Sequence, residues 1–109
     1  MPITMKVEAP AGGDSRYTLR LVERDGQTDA AIEALLLGIH ERVNPAVGHD
    51  PAGAVFAALF KDGPVLFNVA TVDERTQRTG ERLAGLKVSA DRLPATLAVL
   101  KELGFAIQQ

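Results

Sequence analysis

The chain has no cysteine and no tryptophan among its 109 residues, and only 5% of them are aromatic. Without cysteine there is no disulfide, no thiolate nucleophile, no iron–sulfur cluster and no Cys-based zinc site. That usage suits a cytoplasmic location. With one Tyr and four Phe, the core must be built from Leu, Val, Ile and Ala, and platforms on which bases or sugars could stack are scarce. Long hydrophobic runs are missing too. None approaches the roughly 18 residues of a membrane span, and MPITMKVEAP has no basic region followed by an apolar stretch of signal-peptide length. The chain is therefore expected to be unexported and not to enter a membrane. Positive charge is not in excess: the formal net charge is −2 and the pI about 5.6, so nucleic acid is disfavoured as a partner.

What is present, 46% hydrophobic and 24% charged residues, is the composition of one globular domain spanning 1–109. Ile3, Met5 and Val7 alternate with polar residues, as do Tyr17, Leu19 and Leu21, and the segment Ala9 to Asp14 between them holds Pro, paired Gly and Asp. This predicts an N-terminal β-hairpin. Thr28 can cap a helix in which Ile32, Leu35, Leu36, Ile39 and Val43 share one arc, and Asn44-Pro45 stops it. Asp50-Pro51 opens and Asp62-Gly63-Pro64 closes a second helix over the apolar run PAGAVFAALF. Val65 to Val72 reads as a strand covered on both faces and lying inside the sheet. Thr71 and Glu74 have capping-box spacing, so 72–86 is read as a third helix, although Gly80 and Gly85 each cost a helix about 1 kcal/mol. Lys87-Val88-Ser89 is a short strand or a connection. Asp91 caps a last helix with Leu93, Leu97, Leu100 and Leu103 on one face and Gly104 after its end. Phe105 to Ile107 closes the sheet, and with almost no tail beyond it the chain is expected to end with its domain.

The expected fold is α+β: a small, largely antiparallel sheet of the N-terminal hairpin plus central and C-terminal strands. Three to four helices pack mainly on one face, in the order β-β-α-α-β-(α)-α-β. From Tyr17 onward this order, with the stretches KDGPVLFNVAT and LKELGFAI, resembles the Clp protease adaptor and the C-terminal domain of the bacterial ribosomal stalk protein. The resemblance is one of fold, no binding residue is carried over from it, and the polar segment from Asp73 to Leu86 departs from the simplest form of either pattern.

Three residue groups could carry chemistry. His40-Glu41 and His49-Asp50 flank the loop between the first two helices, but their spacing matches no helical ligand motif such as HExxH. Glu33, His40 and Asp50 could meet as acid and base if those helices are antiparallel, yet scattered carboxylates are the simpler reading. Arg75, Arg78 and Arg82 follow helical spacing, where a phosphate or an acidic partner could be held. An ion-paired, solvated face with Asp73, Glu74 and Glu81 is the plainer alternative. On a helical wheel, 51–61 has a bulky side and a small side, and Gly53, Ala54, Ala57 and Ala58 with Lys61 form the small one. Close packing of another backbone there competes with plain exposure of alanine.

The reading that follows is a small non-catalytic binding or regulatory module, adaptor-like, without a cofactor or metal. It acts through protein contacts and possible self-association at Gly53, Ala54, Ala57, Ala58 and Lys61 or at Arg75, Arg78 and Arg82. The alternatives are an enzyme or metal or ligand binder at His40, His49 and Asp50, and an anion or nucleic-acid binder at the three arginines.

Overall fold

The computed structural model describes residues 1–44 and 62–109, with His40 and Glu41 described by their backbone alone. The elements are β1 (Thr4–Glu8), β2 (Tyr17–Glu23), α1 (Asp29–Leu36), α2 (Ile39–Val43), β3 (Val65–Asp73), β4 (Arg78–Val88), α3 (Leu93–Glu102) and β5 (Ala106–Gln108). The strands form one five-stranded sheet in the order β3-β4-β2-β1-β5. Every pairing is antiparallel except that of β1 with β5, which is parallel, so the sheet is mixed; α3 carries the chain from β4 across to β5. The helix predicted over 51–61 lies outside the described residues.

Alternation in β1 and β2 works as expected: Met5, Leu19 and Leu21 turn to one face and are buried with Leu86 and Val88 of β4. Ile32, Leu36, Ile39, Val99 and Leu100 of the helices close over that face. Burying a side chain such as Leu19 or Ile32 is worth about 1.5–3 kcal/mol, and this two-layer contact is what holds the fold together.

Thr28 caps α1 through its Oγ1, which accepts the Ala31 N–H at 3.1 Å. The helical run does not continue unbroken to Val43. It is interrupted at Leu37-Gly38, yet Ile32, Leu36 and Ile39 of the apolar arc read over 32–43 are buried and Val43 packs against them, and Leu35 alone, 45% exposed, falls outside. Asn44 then leaves the helix buried, its Nδ2 donating to the Gly63 carbonyl at 2.8 Å. In α3 the buried residues are Thr96, Val99 and Leu100; of the leucine face expected, Leu93 and Leu97 are half-buried against the core beside Leu100, and Leu103 lies largely outside it. No side chain caps its start, Asp91 included, whose place is taken by Arg92. Gly104, at φ 90°, ends it: its N–H and that of Phe105 return to the carbonyls of Lys101 and Leu100.

The largest departure from the sequence-based fold is at 65–88. The expected third helix does not exist: its residues form β4 and the tip of a β3–β4 hairpin. Among the described residues there are two helices of eight residues or more, α1 and α3, and the five-residue α2, in place of three to four helices. β3, expected inside the sheet, is its edge strand. The physical reason is composition: Val69, Thr71, Val72 and Thr79 are β-branched, and Gly80 and Gly85 weaken a helix, so tertiary pairing overrides one capping-box spacing. The element order on which the fold resemblance rested, with a helix over this segment, is broken at the same point.

Candidate functional site

Beyond the body of the sheet, β3 and β4 continue as a two-stranded arm in which every residue from Asn68 to Arg82 is exposed. Its origin is a bulge. Phe67 pairs with Gly85 but Asn68 pairs with Leu83, leaving Ala84 as an extra residue on β4. β2 stops pairing with β4 after the Arg20–Gly85 partners, so the two strands part there.

The Leu83 N–H and carbonyl, which lose β2 as partner, are satisfied by side chains. Arg24 Nη2 donates to the Leu83 carbonyl at 2.6 Å, and the Leu83 N–H donates to Asp29 Oδ2 at 2.9 Å. Arg24 Nη1 and Asp29 Oδ1, 2.6 Å apart, join the two into one latch, and Arg82 adds a looser ion pair to Asp29 at 3.7 Å. Thus the base of the arm is clamped to the first turn of α1. Buried backbone polar groups need partners, and here two charged side chains supply them.

At the far end the turn Glu74–Gln77 is held by Asp73. Its Oδ1 accepts the Arg75 N–H at 2.9 Å, and its carbonyl accepts the N–H of Gln77, which sits at φ 57°. Register fixes the faces. Val69, Thr71 and Asp73 stand opposite Arg82, Gly80 and Arg78 on one face; Ala70 and Val72 stand opposite Glu81 and Thr79 on the other. Val69 and Val72 are the exposed hydrophobics of the arm, at 41% and 62%.

The same face continues onto the sheet surface away from the helices. There Phe67, Gly85, Arg20, Lys6 and Gln108 form one row across all five strands. Arg20 and Lys87 lie 5.8 and 5.2 Å from the Phe67 ring centroid. This surface is internally paired: Arg20 donates to both Glu8 oxygens at 3.1–3.2 Å, and Lys87 Nζ donates to Thr18 Oγ1 at 2.7 Å. The Arg20 hydrogen bond holds the Glu8 carboxyl below its ordinary range. The side-chain and backbone hydrogen bonds of Arg16 hold Asp14 down to about 2.

The sequence-predicted sites fare unevenly. Gly53, Ala54, Ala57, Ala58 and Lys61 lie outside the described residues, as do His49 and Asp50. Among the described residues no group of three His, Asp or Glu side chains could hold a metal, and no helix is long and apolar enough to cross a membrane. Arg75, Arg78 and Arg82 are on the arm and not on a helix. Arg75 is in the turn, while Arg78 and Arg82 share a face at a strand separation of about 13 Å, so they do not converge on one phosphate. A cleft of about 490 Å³ between α1 and the α3–β5 corner has Ile3, Leu35, Leu103 and Phe105 in its wall; its acid, Asp25, is 3.6 Å from the N-terminal ammonium.

Sequence reasoning missed Arg24, Asp29, Val69 and Val72. The available signal was the β-branched stretch Val65 to Val72 ahead of the short polar segment DERTQ, with Gly80 and Gly85 arguing against a helix after it. No family model, no curated protein and no solved structure matches this chain.

Proposed function

We propose that this protein is a non-catalytic binding module that engages protein partners, its own second copy included, through the β3–β4 arm. The observation that carries the reading is the arm itself: an exposed ribbon clamped to α1 by Arg24 and Asp29. A lone two-stranded ribbon is marginal in water, and this one has both faces wet while two charged side chains fix its base. A pre-ordered element of this kind lowers the entropy cost of docking. Its outer strand also presents backbone N–H and carbonyl groups for strand addition.

The test replaces Ala70–Glu81 by Asn-Gly, closing the hairpin between the cross-strand partners Val69 and Arg82 with a two-residue turn. Intact and shortened chains are compared in two ways: molar mass by sedimentation across concentration, and selection against a displayed random-peptide library. The reading expects an arm-dependent difference in mass or in the peptides enriched. The same mass at every concentration together with the same enriched peptides overturns it.

A further inference from the structure

We infer that the arm's partner is a second copy of this chain, added edge to edge along β3 in antiparallel, two-fold register centred on Val69. The inference rests on the binding role of the arm and names the occupant.

The two edges of the sheet are treated differently. β5 is three residues long, and a short edge strand gives little template for pairing. β3 is nine residues long, carries no charge from Val65 to Val72 and has no proline within it. The bulge of the hairpin is on β4, which leaves the outer ladder of β3 regular. Among the described residues, β4 is its one neighbour. Long, neutral, unblunted edges are what natural sheets avoid unless something pairs with them.

The register follows from the strand's own ends. Laying Val65–Asp73 antiparallel on itself with full overlap puts residue 69 on residue 69 and pairs 73 with 65 and 72 with 66. Directly opposite residues share a face, so each of the two exposed valines of the arm gains an apolar neighbour. Val69 meets Val69 of the second copy. Val72, the more exposed, meets the second copy's half-buried Leu66.

Charge agrees with that register. Asp73, the one charged residue of β3, falls beside Val65 of the second copy, and the residue across the hairpin from Val65 on the same face is Lys87. Each carboxylate thus stands two strand spacings, roughly 10 Å, from an ammonium that is itself held to Thr18 Oγ1 at 2.7 Å and lies 3.9 Å from Asp14, a long-range attraction felt twice by symmetry, while the middle of the seam stays neutral. The interface is isologous and closes on itself, joining two five-stranded sheets into one of ten.

The experiment measures dimerisation at low ionic strength by sedimentation for the intact chain, Asp73→Lys, Lys87→Asp and Val72→Lys. In Asp73→Lys and in Lys87→Asp, both symmetry-related pairs change from attraction to repulsion, expected to weaken self-association roughly tenfold. An equimolar mixture of those two variants restores complementary pairs at both ends and recovers the dimer. Val72→Lys, at a solvated position, weakens it similarly with an unchanged melting temperature, which keeps the test valid if Lys87→Asp fails to fold. A dimer indifferent to Asp73→Lys and Val72→Lys overturns the seam. A monomer at every concentration whose arm still enriches peptides overturns the second copy and leaves the binding role standing.

Discussion

At the scale of single residues, Gly85 is the position where the fold tolerates least. It has φ 150°, and a Cβ there would collide with the Leu19 carbonyl across the β2–β4 pairing. A methyl group would both enter a strained region of backbone space and force β2 away from β4, in the strand pair that lies over the core. Gly85→Ala is expected to lose about 3 kcal/mol, read as a fall in melting temperature of more than roughly 10 °C; a melt within about 2 °C of the unchanged chain would contradict the register. Charges on the open face give a second prediction. Asp14 and Glu8 both titrate lower in the folded chain than in the unfolded one, through Arg16 and Arg20. A depressed folded value means that the contribution is complete above the ordinary carboxylate range and disappears as pH falls through that range toward about 2. Thermal stability should therefore decline from about pH 4.5 downward, and Asp14→Asn should make that decline shallower, less visibly in 0.5 M salt because the pair is partly open to solvent. An identical pH profile for Asp14→Asn would remove the role given to Arg16. Neither residue's role was readable beforehand: Gly85 stood as a cost to an expected helix, and Asp14 as part of the turn-rich spacer of the first hairpin.

At the scale of elements, the clamp between α1 and the arm separates what local chemistry predicts from what it does not. Thr28 and Gly104 were legible because a cap needs only its own neighbours along the chain. The β1–β2 hairpin was legible because alternation and a turn-rich spacer are local too. β3–β4 was not: an apolar run from Val65 to Val72 is compatible with a strand buried on both faces, and its turn lacks the Asn-Gly or Asp-Gly signature that marks a hairpin, placing Gln77 at positive φ instead. Thr71 and Glu74 then imitate a helix start, and the arginine spacing imitates a helix flank. The clamp itself is beyond local reading, since Asp29 and Arg24 reach Leu83 from 54 and 59 residues away. Its energetic weight is testable. Removing Asp29 leaves the Leu83 N–H without its acceptor, a cost of about 1–3 kcal/mol, while Thr28 continues to cap α1. In Asp29→Ala, amide exchange should accelerate at Leu83 and through the arm, and stay slow at Met5 and Leu19 in the core strands. Uniform acceleration would mean that the pair stabilises the whole fold and not the arm. Arg24→Ala, which removes the donor to the Leu83 carbonyl without altering α1, should reproduce the local pattern.

At the scale of the whole molecule, the chain divides into a body that holds the fold and a ribbon that does not. Among the described residues the buried hydrophobic side chains come from β1, β2, β4, the three helices and the segments that flank them, and none comes from between Asn68 and Arg82. The radius of gyration is 14.7 Å, where a compact chain of this length has about 13 Å, as expected when part of the chain extends from the core without joining it. Stability and binding are then assigned to different residues, so a change in one need not move the other. The variant in which Asn-Gly replaces Ala70–Glu81 keeps Phe67, Leu83, the bulge and both clamp residues, and removes only solvated side chains together with the ladder bonds between them. Those bonds contribute little net free energy once the ordering of two exposed strands is set against them. The shortened chain should melt within about 3 °C of the intact one, because surface changes away from caps, clamps and core stay near 0.5 kcal/mol. A fall of 10 °C or more, with the far-ultraviolet spectrum otherwise intact, would show that the ribbon stabilises the body through contacts beyond its exposed faces, and the arm would then have to be counted as part of the fold.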